Sequence, residues 1–212
     1  MTWIEHLQSA DWPRATGCVL GAYLLGCFTT GYYLVRARLG KDIREIESGS
    51  VGARNVGRVL GWSGYLLTMS GDMAKGALAV WSTAEFTHNN RLLMALALLA
   101  VVAGHIWPAQ LHFHGGKGIA TSFAALLVFD YRVALTILVV FLAGFVILRK
   151  TVLPAMFAFV CLPLADLWFE RSGLRMTLLA VLSAMILLAH RRNLVEEITA
   201  WMARREIAPK PE

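Results

Sequence analysis

Arg91-Leu-Leu-Met-Ala-Leu-Ala-Leu-Leu-Ala-Val-Val-Ala-Gly-His-Ile-Trp107 decides the fold class. From Leu92 to Gly104 no side chain carries a charge or a hydrogen-bonding group, and the polar residues stand at the two ends. A hydrocarbon layer about 30 Å thick is crossed by roughly 20 apolar residues of helix, so this run reads as a membrane span. Working outward, comparable runs cover Thr16 to Arg36, Trp62 to Glu85, Gly118 to Asp130, Val133 to Leu148, Val152 to Phe169 and Leu174 to His190. The run from Gly118 is short and includes Ser and Thr. With 57% hydrophobic residues, 16% charged residues and a mean hydropathy of +0.57 over 212 residues, the whole chain has a membrane composition. The prediction is an all-α membrane protein, with seven transmembrane helices in one compact bundle and residues 1–212 forming a single polytopic domain.

The N-terminus contains Trp3, Glu5, His6, Asp11, Trp12 and Pro13 rather than a basic start and a small-residue cleavage site, so the first span is kept in the reading. Cys18, Cys27 and Cys161 fall inside predicted spans without CxxC spacing, which argues for packing rather than disulfides or zinc. The formal charge of +6 could suggest nucleic acid, but its placement follows membrane topology instead. Alternate connections and the tail after His190 hold 14 of the 20 lysines and arginines, which puts that set in the cytoplasm. The N-terminus is then outside and the C-terminus inside. Basic residues on the inner side suit anionic lipid headgroups at about 1 kcal/mol each, with no nucleic-acid partner needed.

The two longest inner connections are rich in glycine. The first runs from Gly40 to Gly61 and includes Ser48-Gly-Ser-Val-Gly-Ala-Arg-Asn55 and Arg58; the second leads from Gly104-His-Ile-Trp-Pro108 to Gly115-Gly-Lys-Gly118. Irregular backbone near lipid must be buried in protein or line a watery cavity. Gly115, Gly116, Lys117 and Gly118 stand just before the fourth span, where unpaired N–H groups and an ammonium would attract an anion. The alternative is a hinge with a snorkelling lysine. This is not a P-loop, since Gly118 follows Lys117 and no glycine stands five residues earlier. The hydroxyls, amide and guanidinium groups of the first loop suit a phosphate monoester and a sugar-like hydroxyl, or else an ordinary capped basic loop.

Asp72 and Lys75 lie three residues apart inside the second span, on one helix face. Charges at that depth are costly unless paired, and this pair is read as a structural brace between the second helix and the loops. His105, His112 and His114 do not form a metal set, and no metal is expected. His6-Leu-Gln-Ser-Ala-Asp11 fits an H-x-x-x-x-D acyltransferase signature, but it lies on the predicted outer side without companion motifs and is read as chance.

Three of these segments in order, Ser48 to Asn55 with Arg58, Gly104 to Pro108 leading to Gly115-Gly-Lys-Gly-Ile-Ala-Thr121, and His190-Arg-Arg-Asn-Leu194, resemble the motifs of the bacterial acyl-phosphate:glycerol-3-phosphate acyltransferases (PlsY). Asp72-Met-Ala-Lys-Gly76 is similar to the D-x-x-K-G of that family's second span. The resemblance implies a seven-helix enzyme of the bacterial inner membrane whose active site faces the cytoplasm. Its substrates would be glycerol 3-phosphate and a fatty acyl phosphate, and it would use no cofactor. It also implies site residues by position. Lys117 and Arg58 would meet phosphate, Asn55 and Asn193 phosphate or glycerol oxygens, and Arg54 would contact substrate. Ser48 with its neighbouring N–H groups would orient glycerol or an oxyanion, and His190 or the departing phosphate would take the proton. The chain departs from the family pattern at Ser50 (usually Asn), Arg54 (usually Thr), Cys27-Phe28-Thr29 (usually Ser-Ile-Pro) and Leu153 (usually Ser). Two other classes stay open on the residues alone: a transporter of a phosphorylated metabolite, and a non-catalytic paralogue that binds lipid phosphate.

Overall fold

The computed structural model describes residues 2–207. Among them the regular structure is entirely helical: α1 (Trp3–Gln8), α2 (Trp12–Cys27), α3 (Thr30–Leu39), α4 (Ala53–Phe86), α5 (Arg91–Ile106), α6 (Ile119–Phe129), α7 (Tyr131–Leu148), α8 (Val152–Asp166), α9 (Gly173–Ala189) and α10 (Arg191–Ile207), with short 3-10 turns at Ile43–Glu45 and Ala109–Leu111. Polar residues at the starts fix the boundaries. Asp11, Asn90, Asp130 and Ser172 each accept a backbone N–H from the first turn of α2, α5, α7 and α9. By length and apolarity, Trp12–Leu39, Arg91–Leu111 and Tyr131–Leu148 each suffice to cross a bilayer. The pair α9 and α10 adds a fourth if its 62° bend lies within one span.

Two expected spans are built differently from their reading. Thr16 to Arg36 is not one continuous helix: Phe28 and Thr29 take extended backbone between α2 and α3. The carbonyls that this break releases are bound by distant side chains, Gly26 and Phe28 by Lys75 Nζ and Cys27 by Gln110 Nε2. Those partners arrive from α4 and from the second loop, which is why the run itself gives no sign of a break. The span expected from Trp62 begins at Ala53, with Gly61 at φ +73° separating a short segment that carries Arg54, Asn55 and Arg58 from the long apolar part. Only glycine adopts that backbone at little cost.

The bundle packs α2 against α5, α4 against α5 and α6, and the α7–α8 hairpin against α6 and α9. Buried Leu98, Val101, Leu126, Phe159, Leu182 and Ile186 belong to its core. A smaller cluster of Val35, Ile43, Val51, Val56 and Leu111 lies beneath the two glycine-rich loops and gives them a packed floor. At the opposite end Arg175 is fully buried. Its guanidinium binds Asp130 at 2.8 Å, Asp166 at 2.5 Å and Glu170 at 2.5 Å, tying the ends of α6, α8 and α9 together. Asn90 at the start of α5 donates to the His6 carbonyl at 2.9 Å, so the His6 to Asp11 segment sits at this end too. His105 closes the other end of α5, about 22 Å away at 1.5 Å per residue.

Candidate active site

One cavity of about 530 Å³ opens where the two glycine-rich loops meet the end of α9. Ser48, Arg54, Arg58, Lys117, His190 and Asn193 line its polar end, and residues such as Met69, Phe123, Phe141 and Phe159 line the rest. Segments as far apart in sequence as Ser48 and Asn193 therefore share one wall. Asp72 is the one carboxylate in that lining, and it is paired with Lys75 at 3.0 Å. The polar end thus carries three cations with a deficit of acidic partners; Arg58 reaches Glu47 only at 3.9 Å.

The first loop is organised by Asn55, which is 1% exposed. Its side-chain oxygen accepts from Ser48 N–H at 3.1 Å, and its amide nitrogen donates to the carbonyls of Ile46 at 3.0 Å and Ser50 at 2.9 Å. Asn55, expected to contact phosphate or glycerol, lines the cavity, and its amide also holds the loop that carries Ser48. The N–H groups of Ser48 and Gly49 are likewise engaged within the loop, while Ser48 lines the cavity. Ser50 has a local task, accepting from Gly52 N–H at 3.3 Å. Arg44, which the sequence reading passed over, donates to the Leu111 carbonyl at 2.8 Å and pairs with Asp42 at 2.6 Å, joining the first loop to the second.

The Gly-Gly-Lys-Gly segment divides between its two readings. Gly115 and Gly116 donate their N–H groups to the carbonyls of Ile106 and His105, zipping the segment onto the end of α5, so these two glycines do not serve as anion donors. A Cβ on Gly116 would lie 2.1 Å from His105 Nε2, so any other residue there would have to displace the buried His105 ring. Lys117 and Gly118 do line the cavity, at the start of α6, whose first turn has no side-chain cap. Lys117 Nζ donates to Asn193 Oδ1. Burial, with Arg54 next in effect, holds the Lys117 ammonium below the usual lysine range.

His190 is 3% exposed and ends α9 with Nδ1 2.9 Å from the Ile186 carbonyl. A carbonyl can only accept, so Nδ1 carries the hydrogen and the neutral ring has its lone pair on Nε2. Lys75 Nζ contacts Asp72, the Gly26 and Phe28 carbonyls and His105 Nδ1, the last at 2.8 Å. The network runs from the α2–α3 break through His105 to Gly116. His105 was uninformative by itself in sequence; its place in Gly104-His-Ile-Trp-Pro108 was the available signal. Thr151, also passed over, lines the cavity and accepts from Arg54 Nη1 at 2.9 Å. Among the described residues, no group of three or more His, Cys, Asp or Glu is placed to hold a metal.

Residues 16–200 match the family described as glycerol-3-phosphate acyltransferase. A relative from Desulfitobacterium hafniense (strain Y51), glycerol-3-phosphate acyltransferase 1, is 44% identical over 187 residues, spanning 88% of this chain and 92% of that protein. The glycerol-3-phosphate acyltransferase of Clostridioides difficile (strain 630) is 37% identical over 178 residues, covering 82% and 86%. Among solved structures, PlsY (YgiH), an integral membrane glycerol 3-phosphate acyltransferase in its glycerol 3-phosphate form, is similar with a TM-score of 0.80 and 30% identity, over 88% of this chain and 93% of that one. Its lysophosphatidic acid form gives 0.78 and 28% over the same shares, 88% and 93%.

Proposed function

This chain belongs to the glycerol-3-phosphate acyltransferase family, and from that premise we propose that it moves a fatty acyl group from acyl phosphate to the sn-1 hydroxyl of glycerol 3-phosphate, giving lysophosphatidic acid and inorganic phosphate. The observation that carries this reading is one cavity that is cationic at one end and apolar along the rest. A sugar phosphate alone has no use for the apolar part, and an uncharged lipid has none for three cations. The proposed setting is the bacterial inner membrane, with seven crossings, the N-terminus outside and the C-terminus and cavity on the cytoplasmic side. The distribution of basic residues supports it.

In the proposed reaction the glycerol oxygen bonds to the acyl carbon while the bond from that carbon to the phosphate oxygen breaks, its electron pair leaving with phosphate. The mixed anhydride supplies the activation, so no further cofactor is called for. Lys117 and Arg58 neutralise phosphate oxygens. Asn193 accepts from Lys117 through its oxygen and keeps its NH₂ to donate. The Ser48 hydroxyl orients the attacking hydroxyl, and the open first turn of α6 offers N–H donors to developing negative charge. The hydroxyl proton goes to His190 Nε2 or to the departing phosphate.

Purified protein in lipid vesicles, given palmitoyl phosphate and radiolabelled glycerol 3-phosphate, is expected to form labelled lysophosphatidic acid and phosphate in equal amounts. Acyl-CoA as a parallel donor should give none. No product from either donor would sink the enzyme reading, and product from acyl-CoA alone would sink the donor assignment.

A further inference from the structure

Arg54 and Thr151, 97 residues apart, meet across the mouth of the cavity, where Arg54 Nη1 donates to Thr151 Oγ1 at 2.9 Å. Arg54 sits in the first turn of α4, and Thr151 immediately precedes α8. Both line the cavity. From Thr151 one face of α8 runs inward through Ala155 and Phe159, and these two also line it. Spacings of four residues keep the three on one helix stripe, about 12 Å long at 1.5 Å per residue. The stripe passes from a hydroxyl at the mouth to an apolar interior. A molecule with an anionic head and a long chain, laid on this stripe, places its head between Thr151 and Arg54.

Resting on the proposed acyl transfer, we propose that Arg54 with Thr151 binds the phosphoryl group of the acyl donor and distinguishes it from glycerol 3-phosphate, which is held by Lys117, Arg58 and Asn193. Two phosphate-bearing substrates bring more negative charge than Lys117 and Arg58 carry, and Arg54 is the third cation of the cavity. Its present partner is a neutral hydroxyl, which a phosphoryl oxygen outcompetes for a guanidinium. Because the arginine donates to Oγ1, the Thr151 hydroxyl hydrogen is free to donate to that same phosphoryl group. Arg54, a departure from the family pattern, thus shares one substrate group with Thr151, two residues before the departure at Leu153. The arginine at position 54 and the hydroxyl at 151 supply a donor subsite that Leu153 cannot.

The test separates binding from turnover by using palmitoyl phosphonate, an acyl phosphate mimic that cannot transfer its chain, together with steady-state kinetics in vesicles. Arg54→Ala is expected to raise KM for palmitoyl phosphate, and Kd for the phosphonate, by about tenfold or more, the loss of a charge-assisted hydrogen bond, while KM for glycerol 3-phosphate stays unchanged. Thr151→Val should raise the same two constants by about threefold to tenfold, and Thr151→Ser should restore them. A rise in KM for glycerol 3-phosphate instead, or an unchanged phosphonate Kd in Arg54→Ala, would overturn the assignment. If Arg54→Ala does not fold, Arg54→Lys and the Thr151 pair carry the same reading. Arg54-dependent phosphonate binding without lysophosphatidic acid would leave the subsite standing and remove the transfer reaction. Product formation with Arg54-independent phosphonate binding would do the reverse.

Discussion

Lys117 is where the electrostatics of the site concentrate, because a partly buried ammonium beside Arg54 is already inclined to lose its proton. Phosphate binding needs the charged form, so the contribution is full below the Lys117 pKa and lost as pH rises through it. With that pKa held below the ordinary lysine range, kcat/KM for glycerol 3-phosphate is expected to fall on the alkaline side before about pH 10.4, where a free lysine titrates. Lys117→Arg, if turnover persists, should carry the fall to higher pH, since guanidinium does not titrate in this range. A pH profile unchanged by Lys117→Arg would exclude Lys117 as the group responsible. Lys117→Ala should reduce kcat/KM by roughly 10²- to 10³-fold, in line with the loss of a preorganised donor, while retention in vesicles stays normal. Ser48, Arg58, Lys117, His190 and Asn193, each taken from its own motif in the chain, line one cavity in the structure. The loop hydrogen bonds of Asn55, Gly115 and Gly116 were not legible there, because a free amide and a hydrogen-bonded one look alike in sequence.

At the scale of the element, the break between α2 and α3 depends on Lys75 more than on its own residues. Three carbonyls face inward there, and two of them rest on this one ammonium, which also neutralises Asp72. Removing Lys75 would leave a buried carboxylate and two bare carbonyls. Lys75→Leu is therefore expected to destabilise the fold by about 3 to 5 kcal/mol, the usual effect of breaking a buried pair. The double variant Asp72→Leu with Lys75→Leu should lose less than the sum of the two singles, since no charge is then stranded. Thermal melting in detergent would measure both. Additive losses would mean the pair is not coupled. The kink in α4 is the opposite case. Its cause, Gly61, was visible as one of the loop glycines, but the helical turns before it were read as loop because they are polar.

Across the whole molecule, the cation-lined cavity and the buried Arg175 cluster sit at opposite ends of one bundle. The cavity gathers cations with few acidic partners, whereas Arg175 at the far end is surrounded by Asp130, Asp166 and Glu170. Arg175→Leu should lower stability by about 3 to 5 kcal/mol, chiefly by stranding the buried Asp166 carboxylate, since Asp130 keeps Arg132 and Glu170 keeps the Trp3 indole. Its KM values, measured well below the melting transition, should match those of the unaltered protein. An unaltered melting temperature would show that the buried pairs are not structural. Hydropathy, glycine placement and motif order determined by themselves that the chain is a helical membrane protein of a particular acyltransferase family, because those signals are local and repeat along the chain. Three arrangements were decided only in three dimensions: the brace of Lys75 on the α2–α3 break, the burial of Arg175, and the meeting of Arg54 with Thr151. Each joins side chains to partners remote in sequence, and no local pattern records which distant group will satisfy a charge or a carbonyl once water is excluded.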